Sequence, residues 1–106
     1  MIPLPAIYEV KRAVITIGAG TSQDVVALVA DKKIAVIAYM LSSNAAVTMT
    51  FKSHETGITG AMPVAVNAPL QDANVYGLFI TTAGVKLNLT ASGTATVGGY
   101  ILYCEV

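Results

Sequence analysis

The residues that could perform chemistry in this 106-residue chain are few and far apart in sequence. His54 is the single imidazole and Cys104 the single thiol. Ser53, His54 and Glu55 are adjacent, and adjacent side chains on an extended chain point in opposite directions, so these three cannot form a catalytic triad among themselves. A dyad of His54 and Cys104 stays open, but no spacing supports it. The sequence therefore predicts a protein that is not an enzyme and has no catalytic residue.

Motifs for cofactors and metals are equally weak. Gly18-Ala19-Gly20-Thr21 resembles the start of a phosphate-binding loop, but it lacks the third Gly of the dinucleotide fingerprint and the Gly-Lys-Ser/Thr of the Walker loop. A loop between two strands is the better interpretation. The acidic residues are scattered, whereas metal sites need clustered ligands. We therefore expect neither a cofactor nor a metal.

The composition indicates which partners the chain could have. Hydrophobic residues make up 55% of the sequence and charged residues 11%, against about 25% charged in an ordinary domain. A body of this size cannot bury all of that apolar material, and exposed apolar patches mark contact surfaces. The formal net charge is zero, so no electrostatic repulsion keeps copies apart. We expect an oligomer or a subunit of a larger assembly.

Nucleic acid and membrane are not expected partners. The basic residues form two short pairs, Lys11 with Arg12 and Lys32 with Lys33, and six basic residues are balanced by six acidic ones. A nucleic-acid interface would need a basic stripe or patch. The longest apolar stretch, residues 25–41, is interrupted by three charged residues at 31–33, so neither part could span a bilayer.

The elements that must position these residues are β-strands. Val, Ile, Thr and Tyr are abundant, and Gly, Asn, Asp and Ser clusters interrupt them at short intervals. Residues 46–53 alternate most clearly between apolar and polar side chains, which is typical of a strand with one wet face. Pro63 favours an edge position, and residues 22–29 could alternatively form a helix. The predicted strands are 8–17, 25–30, 34–41, 46–53, 61–66, 76–81, 85–90 and 95–106, with loops or turns between them, including 18–23, 67–74 and 91–94.

These strands indicate a single β-sandwich or barrel at residues 8–106, preceded by an extended arm at residues 1–7. Two prolines stiffen this arm, which reduces the entropy that docking would cost. The nearly continuous apolar strand at 34–41 is expected to be covered on both faces. The candidate interface residues are Ile2, Pro3, Leu4, Pro5, Ile7, Tyr8 and Phe79.

The second half of the chain, residues 50–106, also carries a set of turns and strand ends in a particular order. They are Phe51-Lys52-Ser53, Ile58-Thr59-Gly60, Gly77-Leu78-Phe79, Thr82-Ala83-Gly84, and Val97-Gly98-Gly99-Tyr100 leading to Tyr103-Cys104-Glu105-Val106. This pattern resembles the small decoration, or cement, proteins on the capsids of tailed bacteriophages. The resemblance implies a jelly-roll-like β-sandwich and a homotrimer. It also implies a place on the outer capsid surface of the virion, bound to the major capsid protein.

Two alternatives remain at this point. The chain could be a tail, head-fibre or baseplate module of a phage, built on the same kind of β-domain. It could also be a carbohydrate- or small-ligand-binding β-sandwich, although the absence of Trp disfavours a sugar site.

Overall fold

A computed structural model describes residues 2–106, and for Ala19 the backbone alone. Eight strands form one antiparallel sheet that curls on itself, and the described residues contain no α-helix. The all-β antiparallel fold of about eight strands is thereby confirmed. The strands are β1 (Lys11–Val26), β2 (Ile34–Ser43), β3 (Val47–Ser53), β4 (Thr56–Gly57), β5 (Met62–Val64), β6 (Leu70–Ala73), β7 (Phe79–Ile80) and β8 (Leu87–Glu105).

Strand β8 organises the sheet because it pairs with β1, β2 and β3. Its first residues, 87–91, pair with β3, and its last residues, 97–105, pair with β2. On its other side β8 pairs with β1. Residues 11–17 of β1 lie beside residues 97–103 of β8, and residues 22–26 lie beside residues 87–90. Strands β6 and β7 extend the β2 side, and β4 and β5 extend the β3 side. The sheet therefore has two halves, the β2 half and the β3 half, which share β1 and β8.

The two halves meet where β1 and β8 bend, and here the predicted loops were wrong. Residues 18–23 and 91–94 continue the strands instead of ending them. Gly20 pairs with Ala95 and Ser22 with Thr90, so residues 91–94 of β8 stand opposite Thr21 alone. An unequal count of residues in paired strands is a bulge, which bends the ladder and increases its twist. The Gly- and Ser-rich segments thus bend two long strands from one half to the other.

The core lies between the halves and is formed by inward side chains from both. The predicted alternation of β3 is confirmed, since Val47, Met49 and Phe51 are buried and Thr48 and Thr50 are half-buried. Phe51 sits between two other rings, with centroids 5.4 Å from Tyr39 and 4.9 Å from Phe79. The largest fully buried side chains are Phe51, Ile15, Ile34, Leu41, Met49, Leu87, Leu89, Ile101, Val36 and Val97.

Several shorter elements differ from the prediction. Strand β6 lies within the expected loop 67–74, and β7 retains only two of the six residues expected at 76–81. Of the strand expected at 25–30, only Val25 and Val26 are strand, as the end of β1, and the strand course of residues 22–26 excludes the helix considered at 22–29. The edge position of Pro63 is confirmed, because β5 pairs with β3 alone among the described strands. Short edge strands carry little pattern of their own, and their positions follow from pairing with β2 or β3.

Candidate interaction surface

The residues that could perform chemistry do not come together. His54 lies in the tight turn between β3 and β4 with φ 57°, and its N–H bonds the carbonyl of Lys86, just before β8 begins. Cys104 lies at the other end of β8 and is fully buried, and burial raises the pKa of its thiol. The Ser53 hydroxyl is also buried, where it accepts a hydrogen bond from the N–H of Thr82 at 3.0 Å.

Metal ligands are likewise dispersed. Within residues 2–106 no group of three or more His, Cys, Asp and Glu side chains lies close enough to hold a metal ion. The same range contains no helix long and apolar enough to cross a membrane.

The outer surface of the β2 half is apolar at its centre, with the exposed Arg12 and Gln71 at the ends of two of its rows. Val14, Tyr100 and Met40 lie side by side across three strands, as do Leu102 and Ala38 in the next row. Inward neighbours of these residues pack in the core, so alternation turns this set outward. Val14 is 57% exposed, and the others border an open hollow of about 340 Å³. We call this surface the apolar face, comprising Val14, Ala38, Met40, Ala73, Tyr100 and Leu102.

A second apolar groove lies on the β2 half beside the N-terminal arm. Ala35 pairs with Cys104 on one side and with Ile80 on the other, and in this row Ala35 and Cys104 are buried while Ile80 is exposed. Ile80 is 46% exposed and borders this groove of about 310 Å³. Leu4 from the arm also lines the groove, and its N–H bonds the carbonyl of Val75 at 2.9 Å. The arm therefore borders a second apolar groove, whose lining residues differ from those of the hollow at the apolar face.

Leu4 is the predicted interface residue of the arm that lines the groove, and the other arm residues differ in exposure. Ile2 is 63% and Ile7 57% exposed, Tyr8 and Pro5 are exposed, and Pro3 and Leu4 are half-buried. Met1 lies outside the described residues. The extended course expected for the arm is interrupted, because Leu4–Ala6 form a 3-10 turn. Pro5 accounts for this, since proline fits the first turn of a helix, where its missing N–H has no partner to lose.

Phe79, which was predicted at the interface, packs against the core and also lines the second apolar groove. It is half-buried, and its ring packs against Phe51 and, at 6.3 Å between centroids, against Tyr39. Side chains alternate along a strand, so the neighbouring Ile80 points outward. Ile80 is the more exposed of the two, and it was not among the interface residues predicted from the sequence.

The outer surface of the β3 half is polar by contrast. We call it the polar face, which borders an open hollow of about 510 Å³ and comprises Ser22, Asp24, Lys52, His54, Glu55, Lys86, Asn88 and Thr90. Asn88 is buried at its centre and donates to Asp24 at 2.9 Å and to Ser22 at 3.0 Å. The hydroxyl of Thr90 in turn donates to the Asn88 carbonyl oxygen at 2.6 Å.

Asp24 is the charged centre of this network. Its carboxylate accepts from Asn88 and from the Lys86 ammonium at 3.0 Å, and these two hydrogen bonds, in that order, lower its pKa. Asn88, the buried member of the face, is thus satisfied by its neighbours, and the exposed polar groups can bind water.

No protein-family model matches the chain, and no curated protein matches its sequence.

The apolar face as such was not predicted from the sequence. Residues 34–41 were expected to be covered on both faces, and their inward side chains are buried, but the outward Ala38 and Met40 are only half-buried. One sequence signal could have indicated the apolar face. Residues 97–104 are apolar on both faces of the strand, and a chain this small has no second layer to cover the outer one.

Proposed function

We propose that this chain is a non-catalytic structural subunit, namely a capsid decoration protein that binds the major capsid protein and stabilises a phage head. The observation that carries the proposal is the segregation of the outer surface into an apolar face on the β2 half and a polar face on the β3 half. The polar face suits a surface open to water on the outside of the capsid. The apolar face and the arm suit contact with the capsid and with other copies.

The apolar face has the character of a contact surface. Interface cores are depleted in charge and enriched in aromatic residues and Met, as Tyr100 and Met40 exemplify here. Side chains such as Val14 and Ile80, roughly half exposed, lose water-accessible apolar area only when a partner covers them. Covering such area is favourable by about 25 cal/mol per Å². The protein therefore gains stability from assembly in proportion to the apolar area covered.

The arm adds to the same contact. Ile2 and Ile7 project from a short segment attached to the groove mainly through Leu4. Because Pro3 and Pro5 restrict the backbone of the free arm, less conformational entropy is lost when a partner covers it.

A charge on the apolar face tests the proposal. Met40→Lys places an ammonium at the centre of this face. Thr50→Lys is the matched control. Like Met40, Thr50 is half-buried and points outward from the middle of a strand, but it lies in the β3 half. The mass in solution is measured by sedimentation, and binding is measured on heads assembled from the cognate major capsid protein without decoration.

We expect the wild type and Thr50→Lys to form a trimer, with three times the 10.9 kDa mass of one chain, and to bind the heads. Met40→Lys should lose both properties while remaining folded by circular dichroism. A wild-type monomer that ignores the heads would contradict the proposal. Labelling that located the chain on tails or baseplates would instead favour the alternative of a tail module.

A further inference from the structure

The longest free strand edge of the fold belongs to β1, which in the described part of the chain pairs with β8 alone. The regular portion of this edge is residues 11–17, before the register shifts that begin after Ile17. The remaining edge strands β4, β5, β6 and β7 have two to four residues each. An exposed edge is a template on which another chain can add a strand, so β1 is where such pairing would occur.

A side chain already occupies this edge. The Gln23 amide accepts a hydrogen bond from the Thr16 N–H at 2.7 Å and donates one to the Val14 carbonyl at 3.2 Å. A primary amide presents one acceptor and one donor, as a peptide group does, so Gln23 binds β1 as the backbone of a neighbouring strand would. The bend of β1 after Ile17 brings residue 23 back to the middle of the free edge.

We infer that Gln23 closes the free edge of β1 to strand addition, so that partners meet this protein through its apolar face and not by extending its sheet. An incoming strand would first have to break both hydrogen bonds of the Gln23 amide. Its own hydrogen bonds to Thr16 and Val14 would only replace those two, so the number of hydrogen bonds at these positions would not rise. The edge closure stands on the geometry of Gln23, whereas the engagement of the apolar face rests on the proposed function.

The geometry also provides a means of blocking the edge once it is opened. In an antiparallel strand the N–H and C=O of one residue point to the same side. The Thr16 N–H points to the free edge, where Gln23 binds it, and Thr16 lies outside the apolar face. Proline at position 16 would remove this donor from the free edge without removing a bond to β8, as proline does in natural edge strands.

The test removes the amide and measures self-association by sedimentation. Gln23→Ala opens the edge, and Thr94→Ala is the control, because Thr94 is an exposed polar residue of β8 that lies outside both the free edge and the apolar face. We expect Gln23→Ala to raise the mean mass above that of the wild type, about twofold if two edges pair across a two-fold axis. Adding Thr16→Pro should restore the wild-type mass. In the Met40→Lys background, Gln23→Ala should still raise the mass relative to Met40→Lys alone.

An unchanged mass for Gln23→Ala would overturn the inference, as would new association that Thr16→Pro fails to cancel. A mass for Gln23→Ala with Met40→Lys no higher than that of Met40→Lys alone would also overturn it. If Gln23→Ala does not fold, Gln23→Met serves in its place, because it retains the length of the side chain but lacks the amide. The proposed function is tested separately, by comparing the single variant Met40→Lys with the wild type.

Discussion

Gly99 is the residue whose replacement should damage this fold most for the smallest chemical change. It lies in β8 between Ile15 of β1 and Leu41 of β2, with φ at 151°, a value that residues with a side chain rarely adopt. A Cβ at this position would overlap the carbonyl oxygen of Met40 and stand 2.8 Å from the Leu41 Cα. Both obstacles are backbone atoms, so no side-chain rotation can relieve the clash.

The cost of Gly99→Ala has two parts. Holding a non-glycine residue in such a backbone conformation costs about 1–3 kcal/mol, and forcing extra volume against packed neighbours costs about 1–3 kcal/mol more. The total is a large fraction of a stability of about 5–15 kcal/mol. Because β8 pairs on both sides at this residue, the strands cannot separate locally without losing ladder bonds to β1 or β2.

Gly98→Ala is the matched control for this prediction. A Cβ on Gly98 meets nothing within 4 Å, so this variant should stay within about 0.5 kcal/mol of the wild type. Equilibrium urea unfolding, followed by circular dichroism, should show the midpoint of Gly99→Ala lowered by about 1–3 M. Equal midpoints for the two alanine variants would refute the argument that close approach of β2 requires glycine at position 99.

Two further predictions concern titration and reactivity. The pKa of Asp24 is lowered in the folded protein, so its stabilising contribution is present above the unfolded pKa of about 3.9 and is lost as the pH falls through the lower folded value. In Asp24→Asn the free energy of unfolding should therefore decrease less steeply below about pH 4 than in the wild type. Urea unfolding at several pH values measures this dependence, and an unchanged pH profile would count against the network. Cys104 is fully buried with a raised thiol pKa, so a thiol reagent should label it only as fast as the protein opens, and immediate labelling of the native protein would show that the site is accessible.

Much of the fold could be predicted from the sequence wherever a strand has one wet face. The alternation in β3 located both the strand and its buried side, because a period of two has a single interpretation over seven residues. The bends of β1 and β8 could not be predicted in this way. Glycine and serine clusters have the same composition whether the chain turns back or continues through a bulge, and only the pairing partner decides between them.

The candidate surface was predicted in part for a similar reason. The arm was identified because its prolines and apolar residues lie outside any strand pattern. Of the predicted interface residues, Leu4 and Phe79 line the second apolar groove, and Ile2, Pro5, Ile7 and Tyr8 are exposed. Phe79 and Ile80 could not be assigned to inside or outside from a two-residue strand. Their orientation is fixed by pairing with Val36 and Ala35, which are distant in sequence.

Strand β8 shows why the apolar face calls for an explanation beyond folding. Its inward residues, such as Leu89, Val97 and Ile101, build the core along its whole length. Its outward residues change from Asn88 and Thr90 in one half to apolar side chains in the other. Stability of the isolated sandwich requires only the inward set, and outward polar residues would serve it equally well in both halves. Under the proposed function, the apolar outward residues have their physical benefit in a complex, where a partner excludes water from them.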